Sequence, residues 1–258
     1  MDLHLTDKVV IVTGGAKGIG EAVCLILAEE GAIPVIIDKD EMAGEALRKK
    51  IGGKTLFIKA NIISAESCQD VIKQITSTIG DIYGIVNNAG VNDGVGLEEG
   101  SPEKFITSMN NNAGHYYYLV HYALSNMKKS KGSIVNISSK TALTGQGNTS
   151  GYVAAKGAIL SLTREWSVEL LKYGIRVNAV IPAEVWTPMY ESWINSQKNP
   201  KERLASITQK IPFENRMTTA REIADAVVFL LSSRASHITG QWIHVDGGYV
   251  HLDRAINT

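Results

Sequence analysis

Cysteine is nearly absent from this chain: only Cys24 and Cys68 occur. They stand far apart in sequence of helical character, and neither belongs to a CxxC pair or any other metal-ligand spacing. A disulfide framework and a cysteine-based metal centre are excluded; two reduced filler thiols and no metal are expected. An excess of charge is missing too, since 26 basic residues balance 26 acidic ones, which leaves no electrostatic footprint for nucleic acid or an anionic membrane. No apolar run approaches the ~20 residues of a spanning helix, and no basic segment followed by an apolar one opens the chain. A cytoplasmic protein is expected. Low-complexity tracts, Pro/Ser-rich linkers and solenoid periods are also lacking. What remains is one compact domain, an ordinary outcome for an α/β chain of 258 residues.

The pattern that is present alternates. "KVVIVTGG" reads as a buried parallel strand, followed by a helix from Ile19 to about Glu30, strand "AIPVIID", helix "EMAGEALRKKI", strand "KTLFIKANI" and a helix from Ser64 to Ile79. Strand "IYGIVNNAG" leads to a long helix from Pro102 to Lys129, then come strand "GSIVNISS", a helix from Gly151 to Lys172, strand "IRVNAVIP", a helix from Ala220 to Ser232 and strand "QWIHVDGG". Such alternation predicts a doubly wound, Rossmann-like α/β fold: a parallel sheet with helices on both faces. Ligands of these sheets bind beyond the carboxyl ends of the strands. The irregular stretch 188–215 lies over those ends and suits a substrate-covering segment; a plain connecting helix pair is the other reading.

After the first strand, "TGGAKGIG" spaces Gly14, Gly18 and Gly20 as G-x3-G-x-G. Glycines between a strand and a helix let the helix N-terminus approach a pyrophosphate, so Gly14, Lys17, Gly18, Ile19 and Gly20 are cofactor candidates; a turn kept for packing alone is the alternative. Asp38 ends the second strand, where a carboxylate accepts from ribose hydroxyls and repels a 2′-phosphate. That favours NAD over NADP, with Lys17 and Lys39 as possible offsets to the charge. Asn61 at the end of the third strand, with Ile62 beside it, is placed to meet the adenine edge.

"SSKTALTGQGNTSGYVAAKG" brings Ser139, Tyr152 and Lys156 together. Tyr152 and Lys156 form an i, i+4 pair on one helix face. A free tyrosine titrates near ~10, but a neighbouring ammonium and a positive nicotinamide both favour phenolate. Such a tyrosine takes an alcohol proton as hydride leaves for the cofactor, while the serine holds the substrate oxygen.

With these motifs in this order the chain resembles the short-chain dehydrogenase/reductase family over nearly its whole length. The carrying segments are TGGAKGIG, NNAG ending at Gly90, a serine thirteen residues before YVAAK, and "IPAEVWTP" in place of the family's usual PG motif. The resemblance implies a tetrad whose asparagine lies on the long helix, within "NNNAG". Asn112 falls on the apolar stripe Phe105, Met109, Ala113, Tyr116 and Val120, whereas Asn110 and Asn111 point more to the side. The family's large apolar residue seven positions earlier matches Phe105 and also favours Asn112 over Asn111, with the implied role of holding a relay water next to Lys156. Resemblance further places Asn88, Ala89 and Gly90 beside the cofactor, Pro182 in the PG position, and Val185 and Thr187 at the carboxamide. Ala183 departs from the family's glycine.

The segments "TREW", "IPAEVWTP" and "VDGGYVHLDRA" look like the family's L-fucose dehydrogenase branch, which implies NAD-dependent oxidation of a pyranose anomeric carbon to a lactone. Lys140, Gln146, Asn148, Glu184 and Trp186, with Ser139 and Tyr152, are the substrate candidates. A 3-oxoacyl or hydroxysteroid reductase is the second reading, and a non-catalytic nucleotide sensor the third. The aromatic run His115 to Tyr122 is expected in core or subunit contacts, with His115 the exception if one faces the substrate. Resemblance implies a homotetramer.

Overall fold

A computed structural model describes residues 1–252. Asp253, Arg254 and Ala255 of the segment "VDGGYVHLDRA" lie outside the described residues. The strands are β1 (Val9–Thr13), β2 (Ile33–Asp38), β3 (Leu56–Lys59), β4 (Ile82–Asn87), β5 (Ser133–Ile137), β6 (Arg176–Pro182), β7 (Val185–Trp186), β8 (Thr218–Thr219) and β9 (Trp242–Val245). Seven of them form a parallel sheet in the order β3-β2-β1-β4-β5-β6-β9. The order reverses direction between β1 and β4, so the crevice over Thr13 and Asn87 is the topological switch point at which such sheets bind ligands.

Strand residues alternate between two cores, as a period of two requires. Val9, Ile11, Val35, Ile85, Ile134 and Val177 join one face; it is covered by α3 (Ala65–Thr78), α5 (His115–Ser130) and α7 (Ser150–Glu169), the last two preceded in the chain by α4 (Pro102–Met109) and α6 (Thr141–Thr144) respectively. Val10, Val12, Ile36, Val86, Val135 and Val180 join the other, under α1 (Gly18–Glu29), α2 (Glu41–Ile51) and α10 (Ala220–Leu231). Burial on both faces explains why these strands read as unbroken apolar runs. Between the strands a buried polar chain runs from Asn87 Nδ2 to Asn136 Oδ1 (2.9 Å), from Asn136 Nδ2 to Thr163 Oγ1 (3.0 Å) and from Thr163 Oγ1 to the Ile159 carbonyl (2.8 Å).

Two local features differ from the sequence reading, and a third segment left irregular there takes regular form. The third strand stops at Lys59, two residues short of Asn61. The helix expected from Pro102 to Lys129 is interrupted by a π-helical turn, Asn110–Gly114. Finally, the segment 188–215 contains α8 (Pro188–Asn195) and α9 (Pro200–Thr208), and the strand pair β7–β8 anchors its base. Both helices start with proline, whose fixed φ and missing N–H suit a first helical position.

Candidate active site

The turn between β1 and α1 is shaped for close approach. Gly14 and Gly18 have φ of +59° and +58°, a region costly to side chains, and a Cβ on Gly20 would collide with the Gly14 carbonyl oxygen. Lys17 is the N-cap of α1, yet its side chain caps nothing; its ammonium bonds Asp40 Oδ2 at 2.6 Å. The first-turn amides are thus without a side-chain cap, as at a helix terminus that takes a phosphate. Ile19, the second residue of the same helix, is half-buried. Asp38 accepts from the Ala16 amide at 3.1 Å and the Asp40 amide at 3.0 Å, tying the end of β2 to the glycine turn. The offset expected from Lys17 is therefore directed mainly at Asp40, which raises the lysine most, with Asp38 a lesser influence. Lys39 is exposed.

Across the switch point, Asn88 Nδ2 donates to the carbonyls of Thr13 (2.9 Å) and Gly14 (3.1 Å). Thr13 Oγ1 in turn accepts from the amides of Asn88 (2.9 Å) and Ala89 (3.0 Å). The first NNAG is thereby stitched to the glycine turn. Asn61 and Ile62 follow the end of the third strand. Asn61 is exposed beyond the strand end, and the Ile62 side chain is buried in the apolar core, so only its main chain is left for a ligand. Val185 is likewise a core side chain, and Pro182 is the buried last residue of β6. Thr187 caps α8 by accepting from the Tyr190 amide at 3.3 Å. Its Cγ2 lies 3.4 Å from where a Gly18 Cβ would stand, which brings the glycine turn and the loop after β6 together.

Ser139, Tyr152 and Lys156 converge where β5 ends against α7. Ser138 Oγ donates to the Lys156 carbonyl at 2.8 Å and locks strand to helix. Ser139 accepts from Thr141 Oγ1 at 3.0 Å and hydrogen-bonds Tyr152. Burial pushes the Tyr152 phenol above its ordinary value, and the bond to Ser139 opposes this only in part. The lowering by Lys156 expected from sequence is not found in the protein alone, because the ammonium is engaged elsewhere. Lys156 Nζ donates to the Ile137 carbonyl at 2.8 Å and to the Tyr116 hydroxyl at 3.1 Å, and burial lowers it to about 7. Asn112 is fully buried. Its Oδ1 accepts from the Val91 amide at 2.7 Å and its Nδ2 donates to the Ser108 carbonyl at 3.0 Å. A Cβ on Gly90 would lie 3.0 Å from Asn112 Oδ1 and 3.4 Å from Lys156 Nζ, so the end of the first NNAG sits between them. Asn110 is turned away, bonded to the Ile63 carbonyl and Tyr118.

The substrate candidates divide. Lys140 and Glu184 are not open polar groups: they form an ion pair with each other, Tyr190 donates to Glu184 Oε2 at 2.7 Å, and the Tyr249 ring lies 3.9 Å from Lys140 Nζ. Gln146 and Asn148 are exposed, Asn148 with φ of +52°, and Trp186 is exposed on β7. His115 points into the protein. It is buried, 3.2 Å from the Ala89 carbonyl through Nε2, and lowered to about 4 chiefly by burial and secondarily by Lys156. Tyr117, in contrast, is exposed, stacks on His121 and lies near Trp166 of α7. Sequence reasoning missed Thr13, Tyr116, Tyr190 and Tyr249. Thr13, next to the glycines at the switch point, was the one with a signal in its position.

A family model described as "Enoyl-(Acyl carrier protein) reductase" matches residues 14–250. The L-fucose dehydrogenase of Mus musculus is 36% identical over 244 residues, which are 94% of this chain and 88% of that protein. Among solved structures, Cj0485 dehydrogenase superposes with a TM-score of 0.95 at 46% identity, covering 99% of this chain and 98% of its own. The aldohexose dehydrogenase of Thermoplasma acidophilum does so with a TM-score of 0.89 at 30% identity, covering 98% of both chains.

Proposed function

Because the chain belongs to the short-chain dehydrogenase/reductase family, whose members are oxidoreductases acting on CH–OH groups, we propose that it oxidises a sugar or polyol hydroxyl with NAD. L-fucose or a related aldose, converted at the anomeric carbon to a lactone, is the best fit. The observation that carries the reading is the convergence of Ser139, Tyr152 and Lys156 at the carboxyl end of β5, beside the switch point. The likeness to an L-fucose dehydrogenase and an aldohexose dehydrogenase supports the sugar.

The residues present fit a dinucleotide. The glycine turn leaves no room for a Cβ at Gly20, and the Asp38 carboxylate stands where a ribose would be held and a 2′-phosphate repelled. Lys17, Gly14, Gly18 and Ile19 line the pyrophosphate position, Asn88 to Gly90 the adjoining edge, and Val185 and Thr187 the carboxamide. When bound, NAD supplies the hydride acceptor and a positive ring charge. Ser139 holds the substrate oxygen, the Tyr152 phenolate takes its proton, and the Lys156 ammonium stabilises that phenolate electrostatically. Both polar atoms of the Asn112 side chain are engaged, so a relay water falls to main-chain carbonyls of the π turn, where regular bonding is interrupted. The ion pair of Lys140 and Glu184, with Tyr190 and Tyr249, forms a polar wall that a polyol satisfies better than an apolar ketone does. Helices α8 and α9 cover the substrate. A cytoplasmic homotetramer, joined partly through the exposed aromatic side of α5 and α7, completes the proposal.

A panel of aldoses, polyols, 3-oxoacyl thioesters and steroid ketones with NAD(H) and NADP(H) tests this. Aldose-dependent NADH formation is expected, and Asp38→Ala should lower the preference for NAD over NADP by roughly 10-fold or more. Turnover of ketones or thioesters without any aldose activity would replace the sugar reading by the reductase one.

A further inference from the structure

The hydroxyl of Tyr116 stands out because the ring does not need it. Tyr116 is fully buried in the core beneath β5, where phenylalanine would fill the same volume, and a buried phenol must find a partner. Its oxygen lies 3.0 Å from the Ile137 carbonyl, the same carbonyl that accepts from Lys156 Nζ at 2.8 Å, and 3.1 Å from Lys156 Nζ itself. The phenol donates to the carbonyl and accepts from the ammonium, which closes a triangle of three hydrogen bonds. The groups facing the ammonium are Tyr152 from its own helix, Tyr116 and His115 from α5, and the Asn112 amide beyond Gly90. His115 stays neutral near physiological pH because burial holds it low, so the oxygens of Ile137 and Tyr116 are what steady the charge.

We infer that Tyr116 is a positioning residue: its hydroxyl and the Ile137 carbonyl form a two-oxygen seat that holds the Lys156 ammonium charged and aimed past Tyr152. The inference rests on the reading of Tyr152 and Lys156 as the proton-transfer pair. Its consequence follows from coupled titration. The pair loses its first proton either from the phenol, which gives the productive phenolate beside an ammonium, or from the ammonium, which gives an inactive form. Removing the Tyr116 hydroxyl weakens the charged ammonium and diverts that loss to the inactive form.

Tyr116→Phe should therefore move the acid limb of the pH profile for alcohol oxidation to lower pH while its plateau falls about 10-fold, the scale of one pKa step. The KM for NAD should change less than about 2-fold, since no binding group is removed. A purely structural hydroxyl would lower thermal stability and leave the limb where it is; that result overturns the inference. Titration of 15N-lysine-labelled protein by NMR gives a second readout that needs no turnover: Lys156 must titrate lower in Tyr116→Phe, and an unchanged midpoint also overturns the inference. Tyr152→Phe distinguishes the two levels. If it abolishes turnover while Tyr116→Phe leaves the limb in place, only the role of Tyr116 fails; if it retains turnover, the proton-transfer reading fails as well.

Discussion

At the scale of single residues, buried position decides chemistry more than residue type does. Two neighbours on α5 illustrate this. His115 and Tyr116 both lie inside the protein; the sequence put Tyr116 on the apolar stripe and singled out His115 as the member of the aromatic run that could face a substrate. The apolar stripe marks Tyr116 and Val120 as inward, and both are buried, but the stripe does not include His115, which is buried beside them just after a π turn. His115 carries a pH consequence. Its ordinary value is 6.5 and burial takes it to about 4, so between these values the unfolded chain binds the extra proton. Stability accordingly rises with pH across that window and is lost as pH falls from 6.5 toward about 4. Urea unfolding of the native protein and of His115→Gln at both ends of the window checks this, with the variant expected to show the shallower loss. Equal slopes would remove His115 from the account.

Among elements, the start of α10 rests on a local pattern and the π turn does not. Thr219 and Glu222 form a reciprocal capping box at the start of α10, with the Thr219 hydroxyl accepting from the Glu222 amide at 3.2 Å and Glu222 Oε2 accepting from the Thr219 amide at 2.7 Å. That pattern is local, so sequence alone signals a helix start there. Thr219→Ala should cost about 1 kcal/mol, measured by urea unfolding, with turnover unchanged. The π turn at Asn110–Gly114 depends instead on tertiary bonds, from Asn110 to the Ile63 carbonyl and from the Val91 amide to Asn112. No local spacing encodes those partners. Helical phase nevertheless selected Asn112 as the inward residue, and it is the fully buried one of the three. The two NNAG tetrapeptides thus serve in different settings: one ends β4 and ties itself to the glycine turn, the other widens a helix, and they meet where Gly90 lies against Asn112.

For the molecule as a whole, the α/β architecture was readable because a parallel sheet buried on both faces leaves continuous apolar strands punctuated by glycine and polar residues at their carboxyl ends. The positions that sequence placed poorly lie where side chains satisfy one another over long separations. Lys140 and Glu184 look like free polar groups in a string, and only the fold reveals them as a pair joined by Tyr190. Asn61 differs from the reading only in its setting, since the strand ends early and leaves it exposed two residues beyond. What unites the rest is one geometry: the glycine turn and Asp38, proposed to hold the dinucleotide, lie on one side of the switch-point crevice, and Ser139, Tyr152 and Lys156 on the other. The central claim is that Tyr152 moves the proton when hydride passes from substrate to NAD. Its most direct test compares native protein and Tyr152→Phe for NADH formation from an aldose and, separately, for NADH binding by fluorescence. The account predicts that the variant binds NADH as the native protein does yet forms at least ~100-fold less product per unit time; turnover within a few-fold of native by a variant lacking this phenol would contradict it.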